Sequence, residues 1–384
     1  MTKTPSTQSN FSLLHTEWSS GWGGQEIRIL AESKAFRERG VTVSIAAQPG
    51  GQLLRHASDE GFQVFPVHMH KGLNLSAIAQ FVNIIRTHQI DLVHTHSSVD
   101  HRLAGIAARL TRRPIVRSRH LSTPIKRSPF SKALYTRLAD RVITSGQFIR
   151  DAMVEYNGMP AEQIVSIPAG IDVEQFSLAR ELPDVRAELG ISAGAFVVGI
   201  VGVLRSWKGH ADLVQAVRLL KAEIPGIKLL IVGEGPQRGA LETLIHETGQ
   251  EDNVLMVGHQ KDPAPYMKAM DVVALPSFAN EATSQVLPQA MAMRRPVIST
   301  NIGGLPEVVL HEKTGLLVPP RDCKAIAAAL LRLQQDPQLR QRLADQGYRH
   351  AQENFTFEAM IDRTEAVYRS LLTQTRTGVD ENGA

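Results

Sequence analysis

The chain has 384 residues, 43% hydrophobic and 21% charged, with a formal net charge of +4 and a single cysteine, Cys323. Such a length calls for two domains, the balance excludes a disordered or collagen-like chain, and a lone cysteine excludes an internal disulfide and a zinc finger. Met1–Asn10 lacks a signal-peptide pattern and no run reaches the roughly 18 apolar residues of a membrane span, so the expected location is cytoplasmic, with any membrane contact peripheral.

Short β-branched or apolar runs alternate with longer helical patterns in both halves, the mark of α/β architecture with parallel sheets. In the first half, strands are expected near Ser12–His15, Val41–Ala46, Gln63–Val67, Asp91–His94, Ile115–Ser118 and Arg141–Ser145. Gly21-Trp22-Gly23-Gly24 follows the first and opens a helix over 25–39, with Ile27, Leu30 and Ala31 on one face and Gly40 as its stop. Exposed amides there can receive an anion; a plain tight turn also explains the glycines. The dinucleotide fingerprint G-x-G-x-x-G is absent and the second strand ends Ala47-Gln48-Pro49-Gly50 without a ribose-binding acid, which argues against a dehydrogenase.

Residues 101–150 carry twelve bases against one acid, Asp140. The first 176 residues have a net charge of +6 and the remainder −2. That stretch can attract phosphate, anionic lipid or nucleic acid, or simply solvate helix faces.

The pattern restarts after 181–195, where Pro183, Gly190 and Gly194 interrupt periodicity and a linker is expected. Strands are expected near Phe196–Val201, Lys228–Val232, Val254–Val257, Val272–Pro276, Pro296–Ser299 and Gly315–Val318. Between the first two, Leu213, Val214, Val217 and Leu220 form one helical stripe. After Pro320 the chain reads as helical to about Leu372, broken near Asn354 and Phe355, with a disordered tail over 373–384.

Two loops of the second half can carry chemistry. In Gly202-Val203-Leu204-Arg205-Ser206-Trp207-Lys208-Gly209, two bases three apart form a candidate diphosphate clamp, without the Walker pattern. In the segment from Pro276 to Ala292, Glu281 follows a buried strand and a helix start near Ser284 or Gln285 accommodates Pro288, so free helix amides would face the same place as the carboxylate.

From Trp18 to Leu372 the chain resembles the retaining glycosyltransferases of family 4. The resemblance runs through Gly23 and Gly24, Asp91-Leu92-Val93-His94-Thr95-His96, Pro114 through His120, Ala139-Asp140-Arg141-Val142-Ile143 and Ile167-Pro168-Ala169-Gly170-Ile171-Asp172 with Phe176. It continues through Lys208-Gly209, Val232-Gly233-Glu234-Gly235-Pro236, Gly303-Gly304-Leu305-Pro306-Glu307 and Thr314-Gly315-Leu316-Leu317-Val318. It implies the GT-B fold, two Rossmann-like domains with parallel sheets facing across a cleft and a C-terminal helix returning to the first. The boundaries this gives are 1–180 for an acceptor-binding domain, 181–195 for the linker, 196–355 for a nucleotide-sugar-binding domain and 356–384 for the returning helix and tail.

The resemblance also implies roles. Glu281 matches the first glutamate of the family's pair and would contact the donor sugar, while the second glutamate is replaced by Gln289, whose carbonyl can still accept from a ribose hydroxyl. Ala282, where glycine is usual, lies with Thr283, Ser284 and Gln285 in the donor loop; Lys208 and Arg205 would hold the diphosphate, with Gly23 and Gly24 approaching the donor. Arg205 stands two residues beyond the family's usual position, Val203, and Ala169 replaces an asparagine. His120 matches the histidine beside the reacting sugar. Arg117, Arg119, Lys126 and Arg127 would meet an acceptor or a membrane.

The implied reaction moves a sugar from a UDP-, GDP- or ADP-sugar, with retention and by front-face attack, to a cell-envelope glycan or glycolipid, such as lipopolysaccharide core. Neither a cofactor, a metal nor nucleic acid is expected, and no D-x-D triplet occurs. Two rival readings are a GT-B protein with lost or epimerase-like activity, and a metal-dependent hydrolase using His94 and His96 with Asp100 and His101.

Overall fold

The computed structural model describes residues 10–72, 74–119, 128–279 and 281–380, the side chains of 129–131 and 375–380 excepted. The chain divides into two compact units, one of Met1–Ile167 with Ile361–Ala384, the other of Pro168–Met360.

The first unit holds β1 (Ser12–Glu17), β2 (Thr42–Ala47), β3 (Gln63–Pro66), β4 (Leu92–Thr95), β5 (Ile115–Arg119), β6 (Arg141–Thr144) and β7 (Ile164–Ser166). They form one parallel sheet in the order β3-β2-β1-β4-β5-β6-β7. Residues 13–17 of β1 are buried without interruption, as expected of a parallel strand covered on both faces by crossover helices. The strand expectations locate β1 to β6. β7 escapes them because three residues carry too little alternation to stand out.

The second unit holds β8 (Val197–Val201), β9 (Lys228–Val232), β10 (Val254–Met256), β11 (Val272–Leu275), β12 (Val297–Thr300) and β13 (Leu316–Val318), in the order β10-β9-β8-β11-β12-β13. All are parallel. Alternation splits β8 between two cores: Val198 and Ile200 pack with Leu213 and Val217, whereas Val197 and Val201 pack with Leu287 and Met291. Helices therefore cover both faces. In each sheet the strand order reverses once, beside β1 and β4 and beside β8 and β11, which places a crevice at the carboxyl ends of those strands.

Two expectations are corrected. Residues 181–195 are structured: Val185–Glu188 is a short helix capped by Asp184, and Leu182, Val185, Ile191 and Ala195 are buried in the second unit's core. Arg186 ties this segment to β11 through Asp271 at 2.8 Å. The proline and glycines that broke the periodic pattern hid this burial. At the other end, the helix Phe357–Asp380 runs past Leu372, since no proline interrupts it and each further residue adds a hydrogen bond. The expected break before it is present, and it receives the turn at Gly170: Ile171 N donates to Phe355 O (2.7 Å) and Phe357 N to Ile171 O (2.9 Å).

Candidate active site

In the second unit, β8 runs into a loop, a 3₁₀ turn at Ser206–Lys208 and the helix His210–Leu220. Gly209 has φ +78, and a Cβ there would overlap the Pro276 carbonyl oxygen, so glycine alone lets this loop press on the end of β11. On its other side the loop after β11 meets Gly303, at φ +51, where a Cβ would overlap the carbonyl oxygen of Glu281. Phe278 N donates to Trp207 O at 2.8 Å, closing the contact between the first two loops.

This nesting brings Lys208 Nζ to 2.6 Å from Glu281 Oε1, with Ser277 Oγ donating to the same oxygen at 2.8 Å. The Glu281 side chain is 7% exposed and that of Lys208 22%, so the pair is charge-assisted and largely withdrawn from water. Arg205 stays exposed, its guanidinium carbon 5.7 Å from the Trp207 ring centroid.

Ala282 and Thr283 are half-buried and Ser284 is buried. Gln285 is exposed and its amide donates to Gly170 O at 3.2 Å. It has helical backbone angles and precedes the helix Val286–Ala292, so the helix begins just past the expected start. Pro288 sits where the N–H has no intrahelical acceptor anyway, and Gln289, on the next position, is half-buried. Sequence reasoning missed Ser277 and His210. His210 is buried with neither ring nitrogen bonded among the described residues, and burial, then the charge of Lys208, lowers its pKa to about 4. Its place immediately after Lys208-Gly209 was the available signal.

In the first unit the glycine turn already holds an anion of its own. Gly23 N donates to Glu26 Oε2 at 2.8 Å, and the helix starts at Gly24. Glu17, at the end of β1, is buried and accepts from Ser19 N (2.7 Å) and from the Gln25 amide. Burial, then the neighbouring Asp100, push its pKa up to about 8.

The rival metal set comes apart in the structure. Asp100 accepts from Thr16 Oγ1, His96 N and Ser97 N, each at 2.8 Å, capping a helix. His101 Nε2 donates to Leu134 O and Nδ1 pairs with Thr95 Oγ1, both at 2.8 Å. Among the described residues the histidines that gather are instead His15, His94 and His96, with ligand atoms within 4.8 Å of one another. His94 spends both nitrogens on Tyr368 Oη (2.6 Å) and Ser118 Oγ (2.8 Å), and His15 Nδ1 pairs with His96 Nε2 at 2.9 Å. Burial alone lowers the His15 pKa to about 3. The three form a buried, hydrogen-bonded cluster at the sheet end, in which His15 is held neutral.

Arg117 is also corrected as a membrane contact, being 3% exposed and stacked on Tyr135 with its guanidinium carbon 3.7 Å from the ring centroid. Arg119 is half-buried and donates to Tyr135 Oη at 3.0 Å. His120, Lys126 and Arg127 lie outside the described residues. Part of the basic stretch is neutralised locally, Arg109 by Asp140 at 2.8 Å and Arg113 by Asp91 at 3.5 Å.

Two family models match consecutive parts of the chain, Glycosyltransferase Family 4 over residues 22–175 and Glycosyl transferases group 1 over 183–350. The D-inositol 3-phosphate glycosyltransferase of Corynebacterium urealyticum is 31% identical over 76% of this chain and 74% of its own length. A solved glycosyltransferase structure from Rickettsia africae aligns with a TM-score of 0.85 at 21% identity, covering 95% of this chain and 99% of that one. Anabaena Alr3699/HepE in complex with UDP-glucose aligns with a TM-score of 0.75 at 25% identity, covering 94% and 100%.

Proposed function

The chain belongs to the group 1 glycosyl transferases of family 4, enzymes of GT-B fold, and from that membership we propose a specific reaction. It moves a sugar, with retention of anomeric configuration, from a nucleotide-sugar donor to an anionic cell-envelope glycan or glycolipid, such as a lipopolysaccharide core. The first unit takes the acceptor and the second the donor. Support for a UDP-sugar as the first donor to test is the UDP-glucose bound by HepE, and support for an anionic acceptor is the inositol 3-phosphate in the relative's name.

The observation that carries this reading is the Lys208–Glu281 pair at the strand-order reversal of the second sheet. Glycosyl transfer passes through an oxocarbenium-like state while negative charge builds on the departing diphosphate. Lys208 shares its ammonium between Glu281 and that diphosphate, and Arg205 reaches the same group from its exposed position. Glu281 positions the donor sugar, and Gln289 accepts from a ribose hydroxyl. The acceptor hydroxyl attacks the anomeric carbon on the face from which the phosphate departs; the carbon–oxygen bond to phosphate breaks and the acceptor proton passes to the released phosphate oxygen. No protein nucleophile is required, and His120 stands beside the reacting sugar by its family position.

No described helix is long and apolar enough to cross a membrane, so access to a lipid acceptor would be peripheral, through the exposed bases of 101–150. The test is a screen of radiolabelled UDP-, GDP- and ADP-sugars for binding and for transfer to envelope lipid extracts, with the product's anomeric configuration read by NMR. One donor should bind and label lipid; failure of all three classes to bind, or an inverted product, refutes the proposal.

A further inference from the structure

Both tryptophans of the first unit lie where β1 leaves the sheet, at the strand ends where this fold takes its ligands. Trp18 is spent on the fold: it is half-buried, packs against the core and donates its indole N–H to Met69 O at 3.1 Å. Trp22, in the glycine turn, is 39% exposed, and its indole N–H has no hydrogen-bond partner among the described residues.

The turn that carries Trp22 is pinned along its length. Ser19 N donates to Glu17 at 2.7 Å, Gly21 N to Ser19 Oγ at 3.1 Å and Gly23 N to Glu26 Oε2 at 2.8 Å. From the helix Gln52–Asp59, Gln52 N donates to Ser20 O at 3.2 Å. His56 of that helix lies against the indole, with ring centroids 4.1 Å apart and planes inclined by 36°. The ring is thus fixed while much of it stays in water, which forgoes the gain of burial unless a ligand covers it. Its face is apolar and electron-rich, and its N–H edge is a free donor. A pyranose offers both complements, a face of C–H groups for the ring and hydroxyl oxygens for the N–H.

We propose that Trp22, backed by His56, is a stacking platform for a pyranose ring of the acceptor glycan. This rests on the first unit being the acceptor-binding unit, and it names the residue that grips the acceptor's sugar.

The test uses the full chain, wild type and three variants: Trp22→Phe keeps a ring face, Trp22→Leu keeps apolar bulk without one, and Trp22→Ala keeps neither. Transfer from a radiolabelled nucleotide sugar is measured against graded envelope lipid extract. In parallel, saturation-transfer NMR follows binding of the water-soluble oligosaccharides released from the same extract by mild acid. Trp22→Ala and Trp22→Leu should both need about three- to tenfold more extract for half-saturation, the scale of one aromatic contact. Turnover number and donor KM should stay unchanged, and Trp22→Phe should recover most of the loss. The oligosaccharide signal should weaken in the same two variants. Wild-type saturation in Trp22→Ala, or in Trp22→Leu, overturns the platform and leaves the transferase reading standing. Absence of transfer in wild type, with oligosaccharide binding that depends on the ring at position 22, refutes the transfer reading and leaves the platform standing. Absence of both transfer and oligosaccharide binding in wild type overturns the two together.

Discussion

Lys208 and Glu281, carried by loops that follow different strands, meet at 2.6 Å with Ser277 bonded to the same carboxylate oxygen. Removing one member of a pair so withdrawn from water leaves the other charged and uncompensated, so structural and catalytic losses are expected together. Lys208→Ala should lower both stability and kcat/KM, the latter by about ten- to several-hundredfold. Arg205→Ala, at an exposed site, should lower kcat/KM on the same scale while leaving the unfolding midpoint unchanged. Glu281→Gln should reduce turnover more than nucleotide affinity, because its contact is to the sugar and grows as the glycosidic bond opens. Steady-state kinetics, calorimetry with free nucleotide and thermal melts separate these effects. Unchanged kinetics in both basic-residue variants would remove Lys208 and Arg205 from the site.

Gly303→Ala should unfold more readily by about 1–3 kcal/mol, because the residue is held at φ +51 and its new methyl would overlap the Glu281 carbonyl. Relief of that overlap shifts the Glu281 loop, so UDP affinity should fall as well. Gly194→Ala is the control: a Cβ there meets nothing within 4 Å. Urea unfolding and UDP titration of both variants check the pair, and equal behaviour would show that the nesting of the loops does not set the site.

Gln289 lies half-buried on the helix that follows the Glu281 loop, at the place where family members carry a second glutamate. If its carbonyl accepts from the ribose, Gln289→Glu supplies a charged acceptor and should tighten nucleotide binding by up to about 1 kcal/mol. Calorimetry that finds weaker binding in Gln289→Glu would detach this residue from the nucleotide.

Strand positions and both glycine-bearing loops were legible because burial on both faces produces apolar runs bounded by turn residues. The joining of Lys208 to Glu281 was not, since it depends on how Gly209 and Gly303 let three loops nest, and nothing local records that approach. Glu26 shows the converse. The glycine turn was readable as an anion receiver, but the residue three places after Gly23 supplies the anion itself. Arg117 was counted as surface charge because composition cannot separate an exposed base from one stacked under a tyrosine.

Glu17 makes the first unit's stability depend on pH in a definite direction. Its folded pKa, about 8, lies above the ordinary carboxyl value of 4.5 because the carboxyl is buried and faces Asp100. The folded state therefore holds a proton that the unfolded chain releases above about 4.5, and this contribution is fully present below that value and lost as pH rises towards 8. The slope is about 1.4 kcal/mol per pH unit for one proton. Asp100 is raised by burial as well, and the two carboxyls titrate as a pair, so the slope belongs to both. Glu17→Gln keeps an acceptor for Ser19 N while removing the proton, and it should flatten the profile between pH 5 and 8. Trp18 and Trp22 lie in the first unit and Trp207 in the second, so a Trp207→Phe background confines tryptophan fluorescence to the first unit. Urea unfolding followed by that signal should show stability falling from pH 5 to 8 in the parent and a smaller fall in Glu17→Gln. Identical slopes in the two proteins would mean that Glu17 is ionised in the folded state, and that the Gln25 and Ser19 donors offset its burial.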